Sequence, residues 1–243
     1  MNSPLRFPVA NKVYVHQVHV DKSDFSHQED ISGIDIWPAS CFLAIIMPTL
    51  VVSESSILEL GAGVGMAASF ALRFLNPSHY YAQQYPNQAC SLKKNIEGYS
   101  RAAIKIIEGI WGDYDLINDL KCLPPIDYVL LADCFYSKQS FADLVYTLKT
   151  IAASHPAAEI ICVHHERKYL HHLRDYLIII FSDNDNLSLY LEAFGLEAQE
   201  TPLTTRQVNL LEKFIYINKN MDMREFEAAF SSMRIVRFQI SSL

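Results

Sequence analysis

The sequence is short of the residues that mark whole classes of protein. Its five cysteines (Cys41, Cys90, Cys122, Cys134 and Cys162) are odd in number, widely spaced and never arranged as C-x-x-C. That argues against a disulfide framework or a zinc site and suits a reducing compartment, the cytoplasm first and the nucleus as a second option. Long apolar runs are missing: the stretches around 41–52 and 177–181 are too short or too interrupted to cross a bilayer, so no membrane partner is expected. The opening residues, MNSPLRFPVA, carry no apolar signal-peptide core. Lysine and arginine form no block, and the formal net charge is −7, so nucleic acid is not an expected partner.

What is present suffices for a core. Half of the 243 residues are hydrophobic and 19% are charged, which is the balance of a folded chain. No linker-like segment divides it. One domain over 1–243 is expected, with 1–36 as an N-terminal strand and loop and 221–243 as a C-terminal extension, and a monomer is expected.

Periodicity orders the elements. KVYVHQVHV (12–20) alternates as a half-buried strand does, and SCFLAIIMPTLVV reads as a buried helix closing near Pro48. Strand and helix then alternate. Strands are expected at 57–61, 79–83, 103–107, 128–132 and 160–164; helices are expected over MAASFALRFL and over 87–98 and 137–153. Residues 168–181 and 187–194 look helical, 214–218 reads as a late strand, and the last 21 residues as an amphipathic helix and a further strand. Such alternation implies a mostly parallel sheet with helices on both faces, an α/β Rossmann-like architecture. Ligands of these sheets lie beyond the carboxyl ends of the strands, where strand order reverses.

One glycine cluster falls at such an end. Glu59-Leu60-Gly61-Ala62-Gly63-Val64-Gly65 joins the first strand of the alternation to a helix. Glycines there permit positive φ and close approach to a ligand, either the phosphates of a nucleotide or the amino-acid end of a sulfonium cofactor. The dinucleotide fingerprint needs a third glycine where Met66 stands.

Four motifs in order carry a family likeness: W-P-A-S at 37–40, L-E-L-G-A-G-V-G at 58–65, W-G at 111–112 and L-L-A-D-C-F-Y at 130–136. They resemble the seven-β-strand protein-lysine methyltransferases, methyltransferase family 16, over roughly residues 30–220. T-L-K-x-I at 147–151, I-I-C at 160–162 and E-R at 166–167 bring the likeness nearest to the members that methylate valosin-containing protein. The resemblance implies a seven-stranded class I fold, S-adenosylmethionine as cofactor and, as partner, a protein substrate bearing the target lysine. It implies that Glu59 is among the cofactor-binding residues and that Gly61, Ala62 and Gly63 pass under the cofactor's methionine portion. Trp37 and Trp111 would flank the cofactor, Ala132 would contribute backbone, and Asp133 and Tyr136 would stand beside the transferring methyl. Each has a plainer reading: the tryptophans as core, Asp133 as cap of the following helix, Tyr136 as packing.

One position departs from the family. Where an acid usually binds the ribose hydroxyls, this chain has Gln84 in QQYPN. An amide keeps hydrogen bonding but loses charge assistance, so cofactor binding up to about tenfold weaker is expected.

The histidines form no metal pattern, since His164-His165 and His171-His172 are neighbours in sequence and do not share a helix face. His165 is a candidate substrate contact, and 168–186 a candidate for partner selection. A small-molecule methyltransferase and a non-catalytic binding protein of the same fold are the alternatives.

Overall fold

Apolar runs become central strands where helices cover both faces. The computed structural model describes residues 4–9, 12–16, 35–86, 88–99, 103–136, 138–165, 197–219 and 223–239. Strands β1 (Leu5–Val9) and β2 (Lys12–His16) form a separate antiparallel pair. Then come α1 (Pro38–Ile46), a 3-10 turn (Met47–Thr49), β3 (Ser56–Leu60), α2 (Met66–Phe74), β4 (His79–Gln84) and α3 (Ala89–Ile96). They are followed by β5 (Ala103–Glu108), α4 (Tyr114–Lys121), β6 (Tyr128–Ala132), α5 (Lys138–Ser154) and β7 (Glu159–His165). The chain closes with β8 (Glu197–Thr201), α6 (Thr205–Ile217), α7 (Arg224–Ser231) and β9 (Met233–Gln239).

Among the described residues the main sheet has seven strands in the order β5-β4-β3-β6-β7-β9-β8. The first five are mutually parallel, and β9 runs antiparallel to both β7 and β8. Strand order therefore reverses between β3 and β6, directly above which the glycine turn and Asp133 lie. Central β3 is buried along its whole length, the near-continuous apolarity that a strand covered on both faces requires.

Two cores follow from the two faces. One packs α1, α2, α6 and α7 against Ile57, Tyr80, Ala82 and Leu130. The other packs α4 and α5 against Leu58, Tyr81, Val129 and Leu131. The alternation along β4, Tyr80 to one side and Tyr81 to the other, is the period of two expected of a strand. β1 is held to the first core: Phe7 lies 5.4 Å from Phe70 and 5.1 Å from Phe214 between ring centroids. Buried Asn218 accepts from the Arg6 N–H (2.9 Å) and donates to its carbonyl (2.8 Å).

The strand expected at 214–218 is instead the end of helix α6. FIYIN resembles a strand in isolation, but the segment begins at a capping box in which Thr204 and Gln207 bond reciprocally. Its buried positions Gln207, Leu211, Phe214 and Asn218 then recur at helical spacing. Three elements had no clear signal. β1 is five residues interrupted by Pro8, α4 buries only Leu116, Ile117 and Leu120, and β8 (EAQET) is a polar edge strand. The C-terminal segment supplies α7 and β9, and β9 sits inside the main sheet. The helices expected over 168–181 and 187–194, the stretch 168–186 and His171-His172 lie outside the described residues. Among the described residues no helix is long and apolar enough to cross a membrane, and no group of three or more His, Cys, Asp or Glu could hold a metal.

Candidate active site at the switch between β3 and β6

The glycine turn leaves β3 with Gly61, Gly63 and Gly65 all at positive φ (65°, 55° and 82°). Gly61 is also sterically required. A Cβ there would stand 3.0 Å from Cys134 Sγ and 3.2 Å from Trp111 Cζ2. Four of the turn's N–H groups are used within the protein. Gly61 donates to Gln83 Oε1 (3.0 Å), Ala62 to the Gln83 carbonyl (2.9 Å), Gly63 to Gln84 Oε1 (3.2 Å) and Gly65 to the Ala62 carbonyl (2.8 Å). Asn95 of α3 donates to the Val64 carbonyl at 2.7 Å. A phosphate cradle works by aiming free backbone N–H groups at the anion. With these four donors bound within the protein, the turn is a poorer phosphate cradle than a loop that aims all its N–H groups outward.

Glu59 supports the turn from inside. It is buried, and its Oε2 accepts the Tyr80 hydroxyl at 2.6 Å. Burial pushes the Glu59 carboxyl up to about 7 against the opposing Tyr80 bond, while burial and the neighbouring Glu59 charge push the Tyr80 phenol well up. The Glu59–Tyr80 bond ties β3 to β4. Cys134, whose thiol burial pushes up, donates to the Leu60 carbonyl at 3.2 Å and packs beneath the turn.

Beyond β5, Trp111 is half-buried and its Nε1 donates to Gln83 Oε1 at 2.9 Å. The next residue, Gly112, donates to Thr147 Oγ1 of α5 at 2.9 Å. The W-G pair is thereby anchored on two sides. Trp37, at the N-cap of α1, is 36% exposed, so the reading of both tryptophans as core fails for it. Gln84, at the end of β4, turns inward: besides bonding Gly63, its Nε2 donates to Gln88 Oε1 at 3.3 Å.

At the end of β6 the character changes. Asp133 is buried, its backbone is left-handed (φ 57°), and its N–H donates to the Val163 carbonyl at 2.8 Å. A left-handed L-residue costs about 1–2 kcal/mol, least for Asp and Asn, and such strain gathers at functional sites. Its Oδ1 lies 3.6 Å from Nδ1 of buried His164. α5 begins only at Lys138, five residues further on, so Asp133 stands too early to cap it. Tyr136 is 42% exposed at the rim. His165 ends β7, half-buried.

The structure thus gathers Gly61, Ala62, Gly63, Gln84, Trp111, Ala132 and Asp133 at neighbouring strand ends, with Trp37 leading into α1 and Tyr136 beyond β6. Sequence reasoning missed Gln83 and the partnership of His164 with Asp133. Two consecutive amides ending an otherwise apolar strand at the switch point were the available signal for Gln83.

A seven-stranded sheet of this order, with a glycine wall at its switch point, defines a Rossmann-like class I methyltransferase. The chain belongs to the lysine methyltransferase family, whose sequence profile matches residues 21–178. A curated relative, the histone-arginine methyltransferase METTL23 of Xenopus laevis, is 29% identical over 134 residues, covering 52% of this chain and 55% of that protein. The likeness therefore spans about half the length of that relative. Among solved structures, the pyocyanin biosynthetic protein PhzM (TM-score 0.53, 12% identity) is covered over 84% of this chain and 56% of that one. The mitomycin 7-O-methyltransferase MmcR (TM-score 0.52, 15% identity) is covered over 84% and 54%. At these identities they show the shared fold. The family and fold imply S-adenosylmethionine as the methyl donor.

Proposed function

We propose that this methyltransferase uses S-adenosylmethionine to methylate a lysine side chain of a protein. The carrying observation is the pairing, across one switch point, of a glycine turn braced by internal hydrogen bonds with a buried, left-handed Asp133. A cofactor with an uncharged nucleoside and a sulfonium fits a turn in which four N–H groups are used internally. Gly61, Ala62, Gly63, Trp37, Trp111, Gln84 and Ala132 would hold it, Gln84 as a neutral partner for the ribose. Bound, the cofactor supplies an electrophilic methyl group and leaves as a thioether.

The remaining work falls to this chain. A lysine ammonium, pKa about 10.4 in water, has no lone pair and must lose a proton before its nitrogen can bond the methyl carbon. Asp133 attracts the ammonium and orients it, and its burial strengthens that attraction over the same pair in water. Tyr136 presents its ring to the cationic stem. Desolvation of the amine in the cleft lowers its pKa and favours release of the proton.

Arginine is the second reading, favoured by the likeness to METTL23. A guanidinium is best met by a bidentate carboxylate. The position of His164 beside Oδ1 of Asp133 favours the point charge of lysine instead. The test is transfer of labelled methyl from S-adenosylmethionine in a cell extract, followed by hydrolysis of the labelled protein. Label in methyl-lysine is expected. Label in methylarginine would move the assignment to the second reading, and label only in small molecules would overturn the protein substrate.

A further inference from the structure

The Gln83 side chain makes three hydrogen bonds at the edge of the cleft. Its Oε1 receives two donors, the Gly61 N–H at 3.0 Å and Trp111 Nε1 at 2.9 Å. Its Nε2 donates to the Gly109 carbonyl at 2.7 Å, and its own carbonyl accepts from Ala62. One buried amide therefore joins β3's turn, the end of β4 and the loop after β5. Strand geometry explains why this residue can do it. Gln83 shares the face of Tyr81, toward the second core and Trp111, whereas Gln84 shares the face of Tyr80 and reaches Gly63. The bond to Nε1 also acts with the packing of the same ring on Gly61, where a Cβ would lie 3.2 Å from Cζ2. The indole is thus fixed in position by a directional bond and in depth by contact.

We propose that Gln83 is a positioning residue that locks the Trp111 indole against the glycine turn, so that the cofactor's wall is formed before the cofactor arrives. The role rests on the reading that this cleft binds S-adenosylmethionine. A wall formed in advance lowers the ordering cost of binding and acts equally on ground and transition states. Its loss should raise KM for the cofactor while leaving kcat nearly unchanged. Gln83→Met keeps the length and removes every side-chain hydrogen bond. Gln83→Glu keeps the acceptor shared by Gly61 and Trp111 and, with its buried carboxyl protonated at mildly acid pH, the donor to the Gly109 carbonyl. This variant is therefore read at about pH 5 beside the unsubstituted protein.

The test has a cofactor-free arm and a cofactor arm. In a Trp37→Phe background, Trp111 is the sole tryptophan, because the sequence has 2. There Gln83→Met should shift its emission to the red and raise its acrylamide quenching about twofold, and Gln83→Glu should restore both. In the chain with both tryptophans, Gln83→Met should bind S-adenosylmethionine about tenfold more weakly, with Gln83→Glu closer to the unsubstituted protein. Unchanged Trp111 emission and quenching in a folded Gln83→Met protein overturns the lock. A fall in kcat with KM unchanged overturns the positioning role. Failure of the unsubstituted protein to bind S-adenosylmethionine overturns the cleft assignment instead, a result the cofactor-free arm does not depend on. If Gln83→Met does not fold, hydrogen exchange of the Trp111 indole N–H in the unsubstituted protein decides: exchange at least about tenfold slower than a free indole supports the lock, and free exchange overturns it.

Discussion

The two sides of the switch point are built on opposite plans. On the β3–β4–β5 side, Gly61, Ala62, Gly63, Gly65, Gln83, Gln84 and Trp111 are tied to one another by hydrogen bonds within the protein. On the β6–β7 side, Asp133 carries left-handed backbone, faces a buried histidine and leads to an exposed tyrosine. The first plan suits a wall that must have one shape before its ligand comes. The second suits the handling of a group whose charge changes. On the proposed reading, similar sheet positions are given to binding and to chemistry.

The largest expected effect tests that division at Asp133. Asp133→Asn keeps the left-handed preference and removes the charge, so methyl transfer should fall about a thousandfold with cofactor affinity nearly unchanged. Asp133→Ala should lose activity equally and also melt lower, by about 1 kcal/mol of stability, because alanine tolerates the left-handed region less well. Labelled-methyl incorporation, calorimetry and thermal melts read the three quantities. An active Asn variant would remove the charge-based role.

Glu59 tests whether the wall side is structural in its ionisation too. Burial raises its pKa in the folded state to about 7, above the ordinary carboxyl value of about 4.5, so the native state holds a proton that the unfolded state releases. Its contribution is therefore fully present below about pH 4.5, declines as pH rises and is lost above about 7, in all about 3 kcal/mol. Glu59→Gln has no such proton. Its stability relative to the unsubstituted protein should climb between pH 5 and 8, measured by urea unfolding. A flat difference across that range would contradict the buried Glu59–Tyr80 arrangement.

Gly61→Ala should cost about 2 kcal/mol, from the positive φ and the collision with Cys134 and Trp111, and should weaken S-adenosylmethionine binding more than turnover. Equal loss in both would blur the boundary between the two sides. The smallest effect is a gain. Gln84→Glu restores an anionic acceptor for ribose hydroxyls and should tighten the cofactor by up to about tenfold in calorimetry. Unchanged or weaker affinity with the fold intact would mean that the inward bond from Gln84 to Gly63 is the residue's real task.

What the sequence disclosed follows from which signals are local. The strands at 128–132 and 57–60 were legible because central parallel strands are near-continuously apolar, and the glycine turn because it sits where a strand meets a helix. Helix α6 was misread because FIYIN has a strand's composition, while its capping box begins ten residues earlier. β8 escaped because an edge strand needs no apolar face. In the site, motif order located Trp111 and Asp133, but their partners come from other strands. Gln83 reaches Trp111 across 28 positions, and His164 comes to Asp133 from β7. Such pairings depend on strand register, which no single motif contains.

The most direct measurement is a crystal structure of the protein with S-adenosylhomocysteine, the demethylated product, which keeps the nucleoside and amino-acid ends. The account predicts density lying along the glycine turn between Trp37 and Trp111, with the Gln83 bonds to Gly61 and Trp111 intact and the sulfur directed toward Asp133 and Tyr136. Density elsewhere, or a cleft that admits the ligand only after Trp111 leaves Gln83, would contradict it.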